Sequence, residues 1–572
     1  MHETANRSAL LTDTFGQIIR EQLPNLFRLY LNPHVTQTCF CLERYIQTTW
    51  PAHTTRHASF QTFIANGFDE ALSGAIKLAR YCASIAGRPT TGLILDGDDR
   101  LAPFAAATAI GGKVEFLPGL VILRRNEQLG SAAVSDQSFD FVVLVAGESG
   151  MDPIDETVLR WIRKNAALVI MCVNRGTLAA LRCEASDHTL PPDIVVFDES
   201  FVNHDVPFGA FTARKTLYDV WNRSDKSTFH STTFQPNTIA SLHFMRCLEQ
   251  DDPEFHLSLM HDLRLIEHDI ELRKKLFRSL YSPSLARAIS MTGFDTPNIR
   301  ATGDFVYADG RKVFDGVSGV ACSIRGHNPN TYAEEMLALA DVPDGEAEVA
   351  SRLRKLTGLE HLLPAVSGAS AVENALKVAL VAQSPRRHVL ALKSGFGGKT
   401  LFALTGTWNA AYKEHIEPLY GDVAYVDPFA VDAIAQIDAV LAKVPVAVVQ
   451  KVVRDVRVHG LLIGIELDAT RWPQRWFRKR LFWFYLFSML CHPRFPVLVG
   501  FCQYEPNVLK ITPPLTTDTG EIRQMCATIT EVLKRPFYQL LATVLAGVVR
   551  SMGFWRSKHE RIVSPPHAAL DR

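Results

Sequence analysis

The sequence predicts an α/β protein with a large, mostly parallel sheet, flanking helices and a small α+β domain near the C-terminus. Three observations support this fold class. A short apolar run, Ile194 to Phe197, ends in the charged pair Asp198 and Glu199. Two similar strand–turn–helix patterns lie 300 positions apart, and short strand-like runs recur after residue 456.

The apolar run belongs to the stretch PDIVVFDESFVNHDVPFGA, residues 192–210. Such a run is typical of a strand that a parallel sheet buries on both faces. The two charges then mark the carboxyl end of the strand, where open α/β sheets bind their ligands. A solvated strand end is the alternative interpretation, because charged residues are mostly exposed.

The repeated pattern joins GFDEALSGAIKLAR (67–80) to SGASAVENALKVAL (367–380) without a gap. Both segments follow an apolar, strand-like run and have helical periodicity, so each predicts a strand, a tight turn and a helix. The chain is therefore expected to contain two related halves. Chance similarity between two alanine-rich helices is the alternative. The two segments are identical at four aligned positions, Ala71/Ala371, Ala75/Ala375, Lys77/Lys377 and Ala79/Ala379.

A β-hairpin is predicted around Ala308, Asp309 and Gly310, within residues 303–330, and a loop dense in glycine follows it. The stretches VRVHGLLIGIELD (456–468) and VLKITPPLTTDTGEI (508–522) predict strands of a small α+β domain near the C-terminus. These runs alternate and are punctuated by turn residues, which is typical of a small α+β domain.

Composition excludes several classes of protein. The chain has 572 residues, enough for about three or four domains. Lys plus Arg and Asp plus Glu are 60 each, so no net charge attracts nucleic acid or an anionic membrane. Ten cysteines include no C-x-x-C pair, so neither a disulfide framework nor a zinc site is expected.

We therefore expect a cytoplasmic protein without a secretory signal, since no basic region precedes an apolar one at the N-terminus. The apolar runs 481–491 and 537–549 are shorter than the roughly 20 residues of a spanning helix. Residues 471–480, RWPQRWFRKR, predict a surface helix that packs its aromatic rings on the core, with an interfacial membrane helix as the alternative.

Taken together, these motifs resemble the class III aminotransferases, which are pyridoxal-phosphate (PLP) enzymes of fold type I. VYADGRKVFDGVSG resembles the family's N-terminal segment, SGASAVENALK its phosphate turn and GFGGKT its glycine loop. GLLIGIEL and KITPPLT resemble its C-terminal domain. PDIVVFDESFVNHDVPFGAF resembles the strand that carries the catalytic lysine, and HSTTFQPNTIAS the loop that follows.

The resemblance implies the PLP-dependent transferase fold type I, partially duplicated. The expected segments are a degenerate large-domain segment (1–250), a helical connector (251–300), a second segment with the phosphate turn (301–450), a small C-terminal domain (451–535), and a helix and tail (536–572).

The resemblance also assigns a cofactor site in the second half. Ser367, Gly368 and Ala369 match the turn whose N–H groups and positive helix end bind a phosphate. Phe396 matches the ring that stacks on the pyridine, although Gly397 stands where the family has a bulky residue; a core aromatic is the alternative. Thr233 matches a residue that reaches the neighbouring subunit's phosphate; a threonine in an exposed loop is the alternative.

A rival interpretation of GFGGKT is a nucleotide-binding Walker A loop. That motif requires a glycine five residues before Gly398, and the residue there is Lys393. The sequence therefore excludes a nucleoside triphosphatase on this motif.

Two catalytic positions in the first half differ from the family. Glu199 takes the place of the lysine that forms the imine with PLP, and the spacing to Ala210 is kept. Cys172 takes the place of the aspartate beneath the pyridine nitrogen. The first half's phosphate turn is Gly67, Phe68 and Asp69, and Asp69 would repel a phosphate.

The second half runs through VPVAVVQ to Gln450 and lacks the strands that carry both catalytic residues. Such a sheet would leave edges and apolar faces exposed. We hypothesise that residues from about Phe139 to Leu248 supply the missing strands, in the same chain or a partner chain.

Two functions follow from the resemblance. One is PLP-dependent amino transfer between a small-molecule amine and a carbonyl compound, with Glu199 as the base and Lys510 binding a substrate carboxylate. Lys510 has a buried strand-end lysine as its alternative. The other function is an inactive scaffold that pairs with an active partner. A reading frame altered by internal deletion and duplication is a third possibility. A homodimer or a pair with a related aminotransferase is the expected assembly.

Overall fold

The computed structural model describes two compact units. The described residues are 2–51, 59–96, 101–109, 111–124, 139–145, 162, 168–183, 191–223, 232, 234–329, 331–332, 335, 345–426, 452–471, 480–502, 505 and 507–551. The first unit comprises residues 1–28, 32–284 and 328–444. The second comprises residues 29–31, 285–327 and 445–572. Residues 301–327, expected to be continuous with 328–450, thus pack in a different unit from residues 328–444.

The first 284 residues form alternating helices and strands. They are α1 (His2–Glu21), α2 (Pro33–Thr49), β1 (Phe60–Ala65), α3 (Phe68–Ile85), β2 (Gly92–Asp96), α4 (Ala102–Ala105), β3 (Ala106–Ala109), β4 (Gly112–Glu115), β5 (Leu120–Arg124), β6 (Phe141–Val145), β7 (Leu168–Val173), α5 (Arg175–Cys183), β8 (Ile194–Phe197), β9 (Gly209–Arg214), α6 (Lys215–Tyr218), α7 (Thr238–Asp251), α8 (Pro253–His268) and α9 (Ile270–Leu276).

Seven of these strands make one sheet in the order β1-β9-β8-β7-β6-β2-β5. Strand β9 runs antiparallel to β1 and β8, and the pairs from β8 to β5 are parallel. The central strands are apolar along their whole length and buried, as a sheet covered on both faces requires. The predicted α/β class, with its large, mostly parallel sheet and flanking helices, is confirmed.

This sheet corrects the hypothesis that residues 139–248 complete the second half within the same chain. Strands β6 to β9 pair with one another and with β1 and β2, so their hydrogen-bonding edges are used inside the first half. Supply of these strands by a partner chain stays a prediction.

The chain then enters the second unit through α10 (Pro283–Thr292), followed by β10 (Ile299–Thr302), β11 (Phe305–Ala308), β12 (Arg311–Asp315) and the short α11 (Ser318–Ala321). Strands β11 and β12 form the predicted hairpin. Its two turn residues have positive φ, 50° at Asp309 and 75° at Gly310. An Asp-Gly pair is favoured in such a turn because Gly has no Cβ and Asp tolerates this conformation.

Residues 345–426 return to the first unit with α12 (Gly345–Thr357), α13 (Gly368–Ala382), β13 (Val389–Leu392) and β14 (Val423–Val426). Strands β13 and β14 form a separate, parallel two-stranded sheet. Residues 358–366, expected as a strand before Ser367, contain no strand. In that stretch Leu359 and Leu363 are exposed, and none of the strands in the described part of the chain pairs with it. The predicted exposure of apolar side chains is found at Leu390 and Leu392 of β13.

The C-terminal part of the second unit contains β15 (Val453–His459), β16 (Leu462–Leu467), α14 (Leu481–Leu490), β17 (Val497–Leu498), β18 (Gly500–Phe501), β19 (Val508–Ile511), α15 (Thr519–Leu533) and α16 (Phe537–Ser551). Four strands form a sheet in the order β15-β16-β19-β18, which confirms the predicted small α+β domain. Helix α14, the apolar run of the sequence, lies in the core of this unit.

Within the described residues, no single helix is long and apolar enough to span a membrane. Thr519–Leu533 and Phe537–Val549 reach the required length and apolarity only as a pair, and the pair is bent by 107°. The run VPVAVVQ lies outside the described residues. Of the predicted helix at 471–480, only the two end residues are described.

Candidate functional site

Glu199 lies immediately after β8, at the carboxyl end of the sheet. Asp198 caps the short 3-10 helix that starts there, because its carboxylate accepts a hydrogen bond from the Ser200 N–H at 3.0 Å. The Glu199 carboxylate accepts a hydrogen bond from the Phe68 N–H at 2.7 Å. Phe68 is the first residue of α3, and its N-cap, Gly67, offers no side-chain acceptor. Glu199 is therefore the internal anion at the positive end of α3.

The close approach of Gly67 explains why no bulkier turn residue is found there. A Cβ at this position would lie 3.1 Å from Glu199 Oε1 and 3.3 Å from a Val366 methyl group. Gly209 packs against the same turn, and a Cβ there would lie only 2.3 Å from the Gly67 carbonyl oxygen. The turn at Gly67 is thus closely packed by side chains and backbone of this chain.

The second phosphate turn also faces a carboxylate. The Ser367 hydroxyl donates a hydrogen bond to Glu70, a buried residue in the first turn of α3. Glu70 also accepts hydrogen bonds from the Asn66 N–H at 3.1 Å and the Asn66 amide at 2.9 Å. Ser367 caps α13 at the same time, accepting from the Ser370 N–H at 3.2 Å. The serine hydroxyl thus already binds an anionic partner of this chain.

Burial raises the pKa of both carboxyl groups, Glu70 and Glu199, above the usual value for a glutamate in water. Desolvation raises the pKa of Glu70, against the opposing effect of its hydrogen bonds from Ser367 and Asn66. Desolvation likewise raises the pKa of Glu199, against the Phe68 N–H, and the nearby charges of Asp198 and Asp69 raise it further. Glu70 and Glu199 thus place two carboxyl groups at the N-terminal ends of α3 and α13, and we call this the acidic region.

A polar stripe on α3 connects the first half to residues 367–418 and was missed by sequence reasoning. Its members are spaced by three or four residues, so they share one helix face. Ser73 accepts from the Leu401 N–H at 2.7 Å, the Lys77 amine donates to the Lys399 carbonyl at 3.0 Å, and the Arg80 guanidinium donates to the Pro418 carbonyl at 2.6 Å. Ser73, Lys77 and Arg80 are buried. A polar helical stripe normally indicates a solvated face, so sequence alone would have assigned this one wrongly.

Lys399, in the glycine loop, is a second residue that sequence reasoning did not single out. Its amine lies 4.6 Å from the centre of the Tyr412 ring, and only 5% of the residue is exposed. Burial lowers its pKa to about 7, with a smaller contribution from the charge of Arg28. Gly398 holds this loop against the phosphate turn, since a Cβ there would lie 2.8 Å from the Ala369 Cβ. The signal available in the sequence was a charged residue, Lys399, directly after the glycines of the GFGGKT loop.

The remaining predicted site residues belong to other elements of the fold or lie outside the described residues. Cys172 is buried in β7, between β6 and β8. Phe396, expected over a pyridine ring, is 55% exposed. Thr233 lies outside the described residues. Lys510 lies in β19 of the second unit, opposite Gly464 and Gly500.

The donor set therefore does not fit a bound phosphate dianion. Each turn that would present N–H and hydroxyl donors to a phosphate has a carboxylate in hydrogen-bond contact, the half-buried Glu199 at Phe68 and the buried Glu70 at Ser367. A dianion beside either carboxylate is repelled and loses the donors that those carboxylates occupy. Among the described residues, no group of three or more His, Cys, Asp or Glu side chains could hold a metal ion.

Comparison with known proteins places part of this chain in a family. Residues 294–438 match the family model of class III aminotransferases. The LysW-aminoadipate semialdehyde/glutamate semialdehyde transaminase of Sulfolobus acidocaldarius is 29% identical over 153 residues, which cover 25% of this chain and 39% of that protein. The acetylornithine aminotransferase of Methanosarcina acetivorans is 31% identical over 137 residues, covering 22% and 34%.

The chain spans about a third of the length of the curated relatives that it matches, 36% for two Pyrococcus proteins. A solved aminotransferase from Bacillus anthracis aligns over 94% of this chain and 86% of its own at 13% identity and a TM-score of 0.33. Acetylornithine aminotransferase from Elizabethkingia anophelis aligns over 92% and 85% at 13% identity and a TM-score of 0.31. The fold assignment rests on the observed sheets and not on these superpositions. The resemblance read from the motifs is confirmed by the match at residues 294–438: this part of the chain is similar to the class III aminotransferases.

Proposed function

We propose that this protein is a non-catalytic, aminotransferase-like scaffold that acts by pairing with another aminotransferase-like chain. The observation that carries the proposal is the hydrogen bond from the Phe68 N–H to Glu199. At the position of the family's catalytic lysine, a carboxylate replaces the amine and holds the helix end that would face a phosphate. A carboxylate cannot form an imine, so this position supports folding instead of amino transfer.

The contact between Glu70 and Ser367 supports the same proposal from the other half. Ser367 has the sequence of a phosphate-binding turn, yet its hydroxyl is engaged by a buried acid. The family match supports an origin among PLP-dependent enzymes and a partner of the same family. A cytoplasmic location and a homodimer or mixed dimer are part of this proposal.

Reductive trapping tests the proposal directly. The purified protein would be mixed with an equal concentration of PLP, reduced with borohydride and mapped by mass spectrometry. We expect no absorbance of an internal imine and only scattered, low-occupancy labelling of surface lysines. A single lysine labelled at high occupancy, with amino-transfer activity, would overturn the scaffold proposal.

Amino transfer is the second candidate function, favoured by the family match and by Lys399. Its amine has a pKa of about 7 and follows the glycine that packs on Ala369. If this function holds, trapping should label Lys399 and the Lys399→Arg variant should lose both label and activity. A Glu199→Lys variant completes the test of position: imine absorbance gained only in this variant would support the assignment of Glu199 to the lysine position.

A further inference from the structure

The first unit contains an apolar cavity far in sequence from both phosphate turns. Its volume is about 280 Å³, and it lies between α1, the turn before β9 and the first turn of α7. The described side chains that line it are mainly apolar, among them Leu11, Phe15, Val206, Pro207 and Ile239. A cavity of this size and lining suits a small apolar ligand.

One carboxylate, Asp205, lines this apolar cavity. Asp205 follows two residues with positive φ, Asn203 at 55° and His204 at 59°, so the backbone before it is held in a conformation that side chains rarely adopt. The Asp205 side chain is 15% exposed. Among the described lining residues, Asp205 is the acid and Asn237 the neutral polar residue, and the others are apolar.

A buried histidine fixes the orientation of Asp205. His243 Nε2 lies 3.1 Å from an Asp205 carboxylate oxygen, and His243 Nδ1 lies 3.0 Å from the Thr14 hydroxyl. Burial lowers the pKa of His243 in spite of the hydrogen bond to Asp205, while the charges of Arg246 and Asp251 act in opposite directions. The contact with His243 holds the Asp205 carboxylate in one orientation at the cavity wall.

The positive end of α7 also borders the cavity, but its first N–H groups are already bonded. Thr238 N–H and Ile239 N–H donate to the Asn25 amide oxygen at 3.0 Å and 3.4 Å. Ala240 N–H donates to the Asn237 amide oxygen at 3.1 Å. These caps satisfy the donors that an anionic ligand would need. The charge offered to a ligand is therefore that of Asp205.

From this geometry we propose that the cavity binds a small hydrophobic amine, with its ammonium group on Asp205 and its apolar body against Leu11, Phe15 and Ile239. The apolar wall excludes water from the ion pair, which strengthens the attraction relative to a surface pair. A neutral molecule of the same shape gains the apolar contacts but not the ion pair. This binding site does not depend on the proposed scaffold function.

Two near-isosteric probes test the proposal, benzylamine and benzyl alcohol, by saturation-transfer NMR titration at pH 7. We expect benzylamine to bind the natural protein at least about tenfold more tightly than the alcohol. The Asp205→Asn variant should lose this preference and still bind the alcohol. The Ile239→Trp variant, which fills the cavity, should bind neither probe.

Asp262→Asn, on α8 and outside the cavity lining, is the matched control and should keep the preference. Equal affinity for the two probes in the natural protein overturns the proposal, and so does binding of neither. Retention of the amine preference by Asp205→Asn overturns it as well. The comparison in the natural protein decides the question even if that variant does not fold.

Discussion

Replacing Glu70 by glutamine should open the Ser367 turn to a phosphate. Glutamine keeps the shape of the side chain and the contact with Asn66, but it removes the charge beside the Ser367 hydroxyl. A phosphate oxygen that accepts a hydrogen bond from the Ser367 hydroxyl would lie about 4 Å from the Glu70 carboxylate. This distance follows because both acceptors would lie one hydrogen-bond length from the same hydroxyl oxygen. At an effective dielectric constant of about 20, one pair of unit charges at that distance costs about 4 kcal/mol.

That repulsion corresponds to a factor of about a thousand in affinity. Burial raises the pKa of Glu70, which acts against this repulsion, so the observed gain should be smaller. We expect Glu70→Gln to bind PLP between tenfold and a thousandfold more tightly than the natural protein. Equilibrium dialysis at pH 8, read by PLP absorbance, measures the ratio.

Glu254→Gln is the matched control, since Glu254 lies exposed in the first turn of α8 and faces neither phosphate turn. It should leave PLP affinity unchanged. An unchanged affinity in Glu70→Gln would refute the reasoning, because the acid would then not be what keeps a phosphate from the turn. Micromolar PLP binding by the natural protein would refute it equally.

Three further predictions concern the packing of residues 367–418 on α3. Gly398→Ala should lower the free energy of unfolding, measured by urea denaturation, by about 2 to 4 kcal/mol. The reason is that φ is +140° at Gly398 and an added Cβ would lie 2.8 Å from the Ala369 Cβ. Gly421→Ala, where an added Cβ would meet open space, should change the free energy of unfolding little. Arg80→Met should lower the free energy of unfolding by about 3 kcal/mol, because the carbonyls of Pro118 and Pro418 lose their donor. Arg352→Met, on the exposed face of α12, should change the free energy of unfolding by no more than about 0.5 kcal/mol. Equal losses in the two variants would contradict the buried role of Arg80. Lys399 has a pKa of about 7 in the folded chain and 10.5 when unperturbed, so the unfolded chain binds more protons between these two pH values. The free energy of unfolding should therefore rise with pH from about 7 to 10. Lys399→Met should flatten that rise, and an unchanged slope in the variant would show that Lys399 is not its source.

The sequence was sufficient for the elements whose partners are close along the chain. The hairpin at Asp309 and Gly310 is fixed by its own turn residues, and β8 by its own apolar run. Helix α13 follows from its periodicity and from Ser367 as its cap. In each case the determining interaction lies within a few residues.

The site itself depends on contacts across long separations, which explains what sequence reasoning missed. Glu199 could be placed at a strand end, but its donor, Phe68, lies 131 positions away. The partner of Glu70 lies 297 positions away, and that acid looked like an ordinary residue of a helix's first turn. The strand expected before Ser367 failed for a related reason: an apolar run becomes a strand only where another strand pairs with it.

The proposed scaffold function gives the two helix starts a common explanation. A helix whose N-terminus faces a phosphate has unpaired N–H groups and a positive end, and these become unfavourable when no phosphate is bound and the end is shielded from water. Two outcomes are then physically available: the turn can open to water, or an internal carboxylate can take the place of the phosphate. Glu199, which accepts a hydrogen bond from the Phe68 N–H, corresponds to the second outcome at α3. At α13 the buried Glu70 accepts a hydrogen bond from the Ser367 hydroxyl, the side-chain donor of that turn. Both contacts support the proposal that the chain stabilises itself without the cofactor, which a scaffold requires and a working transaminase does not.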